Sequence, residues 1–386
     1  MGTITRGIAN NILGSGAIDG TDGLSGTVPA NNIANASLNN LTTFPPSVDA
    51  GITQVAGDPP SPSDGDVWYN TSTFKLRVKG FAASTGAWST GGNLNSGRYY
   101  IGNAGTQTAA LGMGGEPPYH ALNESYNGSS WTEVGDLNDA KGSHGSNGTQ
   151  TSAIVYGGDL PPHTGQTETW NGSAWTEVAD LNTARRLIDG AGADATSAVA
   201  FGGYTSTNFN NTETWNGSSW TEVNNLNTAR RNHRSAGATN TAALCIGGTD
   251  GTSRAYTESW NGTSWTEVND LNTDRRGMSA FGEDATASLC FAGENPGTNM
   301  IVDTELWNGS SWTEVNNLNT GHYAAAGIGS VSTAGLCATG RNLDASPNLT
   351  AIANNESWNG SSWTEVGDVN TSRFDCGSAG NQTEGL

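Results

Sequence analysis

The chain has 386 residues, of which 54 are glycine and only 34% are hydrophobic, and its formal net charge at pH 7 is −20. So negative a charge argues against a general nucleic-acid or anionic-membrane binder, because both need a cationic footprint. No segment approaches 18 consecutive apolar residues, and no charged stretch followed by an apolar run opens the chain. We therefore expect neither membrane insertion nor a secretion signal.

The composition indicates an all-β protein, because Gly, Asn, Thr and Ser are abundant and no stretch shows helical periodicity. Residues 1–64 have no long period and few aromatics, so they cannot bury enough surface to fold alone. We predict an extended N-terminal attachment segment there, ending in the Pro-rich linker "GDPPSPSDGD". The next stretch, "GDVWYNTSTFKLRVKG" at 65–80, predicts a two-stranded hairpin around 71–73.

From residue 97 onward the chain contains six copies of one sequence repeat, whose second half reads "NNTETWNGSSWTEV" at 210–223. Its second Trp recurs every 44 to 51 residues, which is the period of a propeller blade. Each unit predicts four short strands, with Asn-Gly forming the turn between the last two. These regularly spaced tryptophans are expected to pack rather than to bind a ligand: Trp131, Trp175, Trp220, Trp265, Trp312 and Trp363.

The unit resembles the kelch-type β-propeller family. It has Gly-Gly at the end of the second strand, an aromatic in the third, Trp in the fourth and an Arg before the first, as at Arg186, Arg231 and Arg276. The resemblance implies a propeller fold and leaves function open. Repeats are predicted at about 97–141, 142–185, 186–230, 231–275, 276–323 and 324–373.

Both ends of the chain carry fragments of a further unit. "GAWSTGGNLNSGRYY" at 86–100 aligns with the end of a repeat, and "SRFDCGSAGNQTEGL" at 372–386 aligns with the beginning of one. We therefore predict a kelch-like domain over 65–386 with seven blades, the last a composite of 65–96 and 374–386 in which the 65–80 hairpin supplies the second and third strands. A six-bladed ring with loose ends is the alternative.

Basic residues collect near the blade connections, on the face where the loops between second and third strands also emerge. We predict a cationic, aromatic partner-binding face suited to an anionic polysaccharide or acidic peptide, formed by Arg186, Arg230, Arg231, Arg275, Arg276, Tyr119, Tyr204, Phe209 and Tyr256. The alternative is that these arginines pair with carboxylates of neighbouring blades and are structural. The loops on this face vary in length and character between repeats.

Each repeat also carries two glutamates on its outer strands, which predict a solvated acidic rim that discourages edge-to-edge association. Cys245, Cys290 and Cys337 occupy equivalent strands and are expected to be buried thiols. The five histidines show no short ligand spacing, and no nucleophile elbow or phosphate loop is present. We expect no catalytic residues, no metal, no cofactor and no enzymatic activity.

The low-complexity N-terminal segment, the hairpin and the Ser/Asn/Thr/Gly-rich repeats together resemble a bacteriophage virion protein of the tail-fibre or appendage type. That resemblance implies a structural protein, assembled in the host cytoplasm into the virion. Residues 1–64 would bind other virion proteins, and the propeller would face a host surface glycan or protein, with homo-oligomerisation possible. A cellular kelch-type interaction adaptor and a glycan-active propeller enzyme are the alternatives.

Overall fold

A computed structural model describes residues 53–56, 59, 67–70, 72, 75–78, 88, 91–295, 300–343, 349–383 and 385–386. The chain forms two compact units, Met1–Thr85 and Gly86–Leu386. Apart from 53–56 and 59, the predicted attachment segment 1–64 lies outside the described residues. Its role and the proposed domain boundary stay predictions. In the described part of the chain, no helix has the length and apolarity needed to cross a bilayer.

The first unit contains a three-stranded sheet of β1 (Thr53–Val55), β2 (Val67–Asn70) and β3 (Lys75–Val78). β2 and β3 are antiparallel and form the hairpin that the sequence predicts, while β1 runs parallel to β2. Both edges of β2 are therefore occupied within this sheet. The expectation that β2 is the second strand of a composite blade, paired with the C-terminal segment, is wrong for that reason.

The described part of the second unit contains six four-stranded antiparallel sheets, the blades of a β-propeller. Blade 1 consists of β4 (Gly102–Thr106), β5 (Ala109–Met113), β6 (Asn123–Tyr126) and β7 (Trp131–Glu133). Blade 2 consists of β8 (Gly145–Thr149), β9 (Ser152–Tyr156), β10 (Thr167–Trp170) and β11 (Trp175–Val178). Blade 3 consists of β12 (Asp189–Asp194), β13 (Ser197–Phe201), β14 (Thr212–Trp215) and β15 (Trp220–Glu222).

The strands of blades 4 and 5 are β16 (Arg234–Thr239), β17 (Ala242–Ile246), β18 (Thr257–Trp260), β19 (Trp265–Glu267); and β20 (Ser279–Asp284), β21 (Ala287–Phe291), β22 (Thr304–Trp307), β23 (Trp312–Val315). Blade 6 consists of β24 (Ala326–Val331), β25 (Ala334–Ala338), β28 (Asn355–Trp358) and β29 (Trp363–Val366), with a separate ribbon of β26 (Arg341–Leu343) and β27 (Leu349–Ala351) between its second and third strands. The all-β propeller is confirmed, with six complete blades rather than seven.

Burial changes in a regular way from the inner to the outer strand of each blade. Successive first strands contact one another around the axis. The second strand is covered on both faces by neighbouring blades, so that Ala153, Ile154, Val155 and Tyr156 in β9 are all 0% exposed. In the fourth strands of blades 2 to 6 only the Trp is buried, and the following Thr and Glu are exposed; in blade 1 the equivalent Trp131 is half-buried.

The core is divided among the gaps between blades. Between blades 3 and 4, Phe201 of one blade packs with Cys245, Trp260 and Trp265 of the next, and Leu226 of the connecting segment completes the cluster. The indole N–H of Trp265 reaches back to the Thr212 hydroxyl of blade 3 at 2.8 Å. Cys245, Cys290 and Cys337 are buried free thiols, as predicted.

The Asn-Gly turns differ in detail from the predicted two-residue hairpin. The loop between β14 and β15 has four residues, 216–219, and only Gly217 has a positive φ. The side-chain oxygen of Asn216 accepts the backbone N–H groups of Ser218 and Ser219 at 2.9 Å. Asn is therefore favoured here because its side chain satisfies turn donors, and Gly because of its backbone freedom.

A seventh position in the ring is filled by the C-terminal segment, which lies between blades 6 and 1. The backbone N–H of Ala379 donates to the Leu386 carbonyl, and that of Leu386 donates to the Ala379 carbonyl. The segment therefore folds back on itself as a hairpin, as the first two strands of each blade do. The Asn103 side chain of blade 1 donates to the Ser378 carbonyl at 2.8 Å, and Ser378 donates to Gly327 of blade 6 at 3.1 Å. The C-terminus thus closes the ring, although the described residues of this position form no four-stranded sheet.

A chain of backbone hydrogen bonds runs around the axis through seven equivalent residues. Leu187 donates to Ser143, Ser143 to Tyr100, Tyr100 to Asp375, Asp375 to Ala324, Ala324 to Gly277, and Gly277 to Asn232. All seven have a positive φ between 49° and 58°. The C-terminal segment supplies one of them, so the axis has sevenfold rather than sixfold geometry.

Candidate functional site

The blade connections meet the loops between second and third strands on one face of the propeller. They meet through isolated backbone bridges that pair one residue of each connection with the residue after the blade's Gly-Gly, which is replaced by Ala292-Gly293 in blade 5 and by Thr339-Gly340 in blade 6. The bridges are Tyr99 with Glu116, Gly142 with Asp159, Arg186 with Tyr204, Arg231 with Thr249, Arg276 with Glu294, and Tyr323 with Arg341. These residues, with Phe374 and Asp375 of the C-terminal segment, are called the connection face below.

The Gly-Gly pairs allow the connections to approach the second strands closely. Gly202 and Gly203 have φ values of 64° and 113°, a region that L side chains rarely adopt. A Cβ atom on Gly202 would lie 2.2 Å from the His233 ring and 2.9 Å from the Arg230 carbonyl. The pair therefore turns the chain toward the face while the next connection passes directly over it.

The first basic residue of each connection is a structural side chain rather than part of a binding face. Arg230 is 0% exposed, and its guanidinium contacts the Glu258 carboxylate of the third strand at 2.5 Å. Arg275 is likewise 0% exposed and contacts Glu305 at 2.6 Å. The prediction that Arg230 and Arg275 face a partner is wrong, because both are enclosed between blades and paired with buried acids, the alternative that the sequence left open.

We call this arrangement the clasp: a cation from the connection and an acid from the third strand of the following blade. It recurs in the second unit as Arg98–Glu124, Lys141–Glu168, Arg185–Glu213, Arg230–Glu258 and Arg275–Glu305. In blade 6 the basic position holds His322, whose ring lies 3.9 Å from Glu356 and whose pKa is lowered by burial. In the clasp of blade 4, Asn227 adds two hydrogen bonds to the other oxygen of Glu258, from its backbone N–H at 2.7 Å and its side-chain amide at 2.9 Å. The repeated segment "NLNTARR" therefore supplies the Asn and the Arg that contact the buried glutamate of the clasp.

The clasp also corrects the prediction of an acidic rim built from both glutamates of each repeat. The third-strand glutamates, such as Glu258, are buried in clasps. Only the fourth-strand glutamates are exposed at the rim: Glu133, Glu177, Glu222, Glu267, Glu314 and Glu365.

The second basic residues do lie on the connection face, where most of them are paired. Arg186 contacts Asp159 at 2.7 Å, and Arg276 contacts Glu294 at 2.7 Å. Arg231 instead donates to the Asn208 side chain at 2.6 Å. With the Arg341–Asp375 pair at 3.4 Å and Glu116, the connection face holds four arginines and four carboxylates. The expected cationic ring is therefore a charge-balanced ring.

Of the predicted aromatic residues, Tyr204 is the one whose ring contacts two of the predicted arginines. Its ring lies 4.2 Å from the Arg231 guanidinium and 5.8 Å from that of Arg186, both within cation–π range. Tyr256 lies beside Arg254 at 5.5 Å. Tyr119 and Phe209 are half-buried in their own loops. Among the described residues, no ring contact joins these four aromatics to each other.

A second group on this face was missed by the sequence analysis. Tyr99 and Tyr100 have ring centroids 5.1 Å apart in an edge-on arrangement, and Phe374 lies 5.9 Å from Tyr99. The Arg341 guanidinium lies 3.6 Å from the centre of the Phe374 ring. We call Tyr99, Tyr100, Phe374, Asp375 and Arg341 the axial mouth. Its members are distant in sequence, and only the "GRYY" in place of the usual basic pair signalled it.

Burial and mutual charge shift the pKa values of acids at the axis. Burial raises the pKa of Asp375, against the lowering effect of Arg341 and Arg234. Burial also raises the pKa of Glu116, with a further contribution from Asp159. The pKa of Tyr100 is raised to about 12 by burial of its hydroxyl and by the nearby Asp375 carboxylate. Its hydroxyl is therefore protonated at neutral pH and points toward that carboxylate.

No group of three or more His, Cys, Asp or Glu side chains in the described ranges is arranged to hold a metal ion. A shallow depression of about 260 Å³ lies between the first hairpins of blades 1 and 2, lined by residues of 105–109 and 148–151. No protein-family model matches this chain, and no curated protein is detectably similar to it.

Proposed function

We propose that this chain is a structural protein of a bacteriophage, a tail fibre or a decoration of the capsid or tail. In this proposal residues 1–64 anchor it to other virion proteins, and the propeller presents the connection face to a host surface or another partner. It is assembled in the host cytoplasm, takes no cofactor and catalyses no reaction. The N-terminal resemblance to phage appendage proteins supports the anchoring role.

The observation that carries the display role is the separation of repeated from unrepeated side chains. The clasps and the paired tryptophans recur from blade to blade and are largely buried. By contrast, the residue after the Gly-Gly or its equivalent changes in nearly every blade. Tyr204, Glu294 and Arg341 are partly exposed at this position, whereas Asp159 and Thr249 are buried. A rigid repeated scaffold that carries variable residues and loops on one face is the usual arrangement of recognition proteins. The kelch-type motifs support the same interpretation of the scaffold.

The test is the protein content of the particle. Virions of the phage that encodes the chain are purified on a density gradient, and peptides of the chain are quantified by mass spectrometry relative to the major capsid protein. We expect a fixed ratio across independent preparations, and a truncation lacking residues 1–64 is expected to be absent from particles while remaining in the lysate.

Two results would contradict the proposal. If the chain is missing from particles and co-purifies with a soluble cellular protein, it is an interaction adaptor. If the purified chain depolymerises a polysaccharide, it is a glycan-active enzyme. A host-binding role of Arg231 on the connection face is tested separately with Arg231→Glu. We expect this variant to weaken cell binding without lowering the melting temperature, because Arg231 is partly exposed and outside the clasps.

A further inference from the structure

The axial mouth contains an aromatic side chain that the scaffold does not require. Tyr100 is the exposed large hydrophobic residue among those that the structure describes, at 37% of its maximal accessible surface. Its backbone has a φ of 51°, a conformation that costs a non-glycine residue about 1 kcal/mol. The structural role of this position is played by the backbone, which donates to Asp375 and accepts from Ser143.

Equivalent positions around the axis show what the scaffold alone demands there. They hold Ser143, Leu187, Asn232, Gly277 and Ala324, which include small and polar side chains and no aromatic. A tyrosine is therefore neither needed for the hydrogen-bonded ring nor used to fill a gap between blades. Its exposed ring is therefore available for contact with a molecule outside the chain.

The neighbours of Tyr100 hold the ring in a defined orientation. The Tyr99 ring packs edge-on against the Tyr100 ring, with the two centroids 5.1 Å apart. The Tyr100 hydroxyl approaches the Asp375 carboxylate. Arg341 contacts that carboxylate at 3.4 Å and retains 26% side-chain exposure. An aromatic platform thus stands beside a carboxylate acceptor and a guanidinium donor, the combination of apolar surface and few oriented polar groups typical of a small-ligand site.

We propose that the axial mouth binds a neutral pyranose of a surface glycan. The apolar C–H face of the sugar stacks on Tyr100, and its vicinal hydroxyls donate to Asp375 and accept from Arg341. Arg186, Arg276 and Arg341 already contact carboxylates, and Arg231 contacts Asn208. A polyanion or an acidic peptide would have to displace these partners, which favours an uncharged ligand. This inference rests on the proposed display function and names the class of ligand that the displayed face recognises.

The experiment is saturation-transfer difference NMR on the full-length chain. The probes are the methyl glycosides of glucose, galactose, mannose and N-acetylglucosamine, with methyl glucuronide as an acidic competitor and a glutamate-rich peptide as a polymer control. We expect transfer to the ring protons of at least one neutral glycoside, at an affinity in the roughly millimolar range of a single stacked sugar.

Three variants identify the site. Tyr100→Ala is expected to weaken binding by roughly tenfold or more, the effect of losing about 1.4 kcal/mol of stacking. Tyr100→Phe keeps the ring and is expected to bind within about threefold of the wild type. Leu187→Ala, at the equivalent axial position of blade 3, is the matched control and should leave binding unchanged.

Melting temperatures of all three variants distinguish loss of binding from loss of folding. The proposal is overturned if no neutral glycoside shows transfer, if Tyr100→Ala binds as the wild type does, or if the glutamate-rich peptide binds through Tyr100 instead. Each of these results is independent of whether the chain is found in virions, so failure of the ligand assignment and failure of the virion assignment are separable.

Discussion

The clasp of blade 4 provides the sharpest test of how this propeller is held together. Arg230→Met removes the guanidinium and keeps most of the apolar volume. The Glu258 carboxylate is then left buried, with only the two Asn227 hydrogen bonds on one of its oxygens. Loss of one partner of a buried ion pair costs about 3–5 kcal/mol, because the remaining charge stays desolvated. At about 2 °C per kcal/mol for a domain of this size, the melting temperature should fall by roughly 6–10 °C.

The matched control is Arg231→Met, one residue further along the same connection. Arg231 is half-exposed and has a neutral partner, so its loss should cost less than about 1 kcal/mol. The double variant Arg230→Met/Glu258→Gln should melt above the Arg230→Met single variant, because no unpaired buried charge remains. Differential scanning calorimetry at pH 7 measures all four proteins. Equal melting temperatures for the Arg230 and Arg231 variants would refute the structural role of the clasp.

Burial lowers the pKa of His144 to about 4, below the unfolded value of about 6.5, so the unfolded chain binds more protons on acidification. His144 should therefore lower the free energy of unfolding by about 3 kcal/mol between pH 7 and pH 4. The melting temperature of His144→Leu should fall less steeply with decreasing pH than that of the wild type. An unchanged slope of melting temperature against pH would contradict the assignment. Trp265→Phe loses the hydrogen bond to Thr212, whereas the buried indole N–H of Trp175 has no hydrogen-bond partner among the described residues. In urea denaturation Trp265→Phe should therefore lower the free energy of unfolding by about 1–2 kcal/mol more than Trp175→Phe does. Equal costs would show that indole packing alone matters. Deleting 376–386 opens the ring and should lower the melting temperature by more than Arg230→Met does, whereas a smaller effect would mean that closure does not depend on the C-terminus.

The repeat itself could be predicted in detail because its determinants are local. Asn-Gly specifies the hairpin, Gly-Gly specifies a left-handed backbone, and the alternation around Trp215 and Trp220 specifies adjacent strands. These features need only neighbouring residues, so one sequence contains them in full. The error in turn type arose at this same level, because the Asn side chain competes for the turn donors.

The functional face could be predicted only in part, because pairing across blades is not encoded in spacing. Arg230 and Arg231 are adjacent and chemically identical, yet one is enclosed and the other is half-exposed. The two glutamates of a repeat lie directly opposite each other across strands, as in Glu258 and Glu267, and only one is covered by the next connection. Which arginine and which glutamate become buried depends on the direction in which each connection enters the following blade.

The sequence by itself determined an all-β propeller with a period of 44 to 51 residues, since each blade is built from short-range turn and strand signals. Tertiary structure alone decided that six blades are complete, that the C-terminal segment takes a seventh place at the axis, and that Tyr100 stands exposed beside Asp375. The physical reason is that closure and the axial mouth depend on contacts between residues 275 positions apart, such as Asn103 and Ser378, for which no local pattern exists.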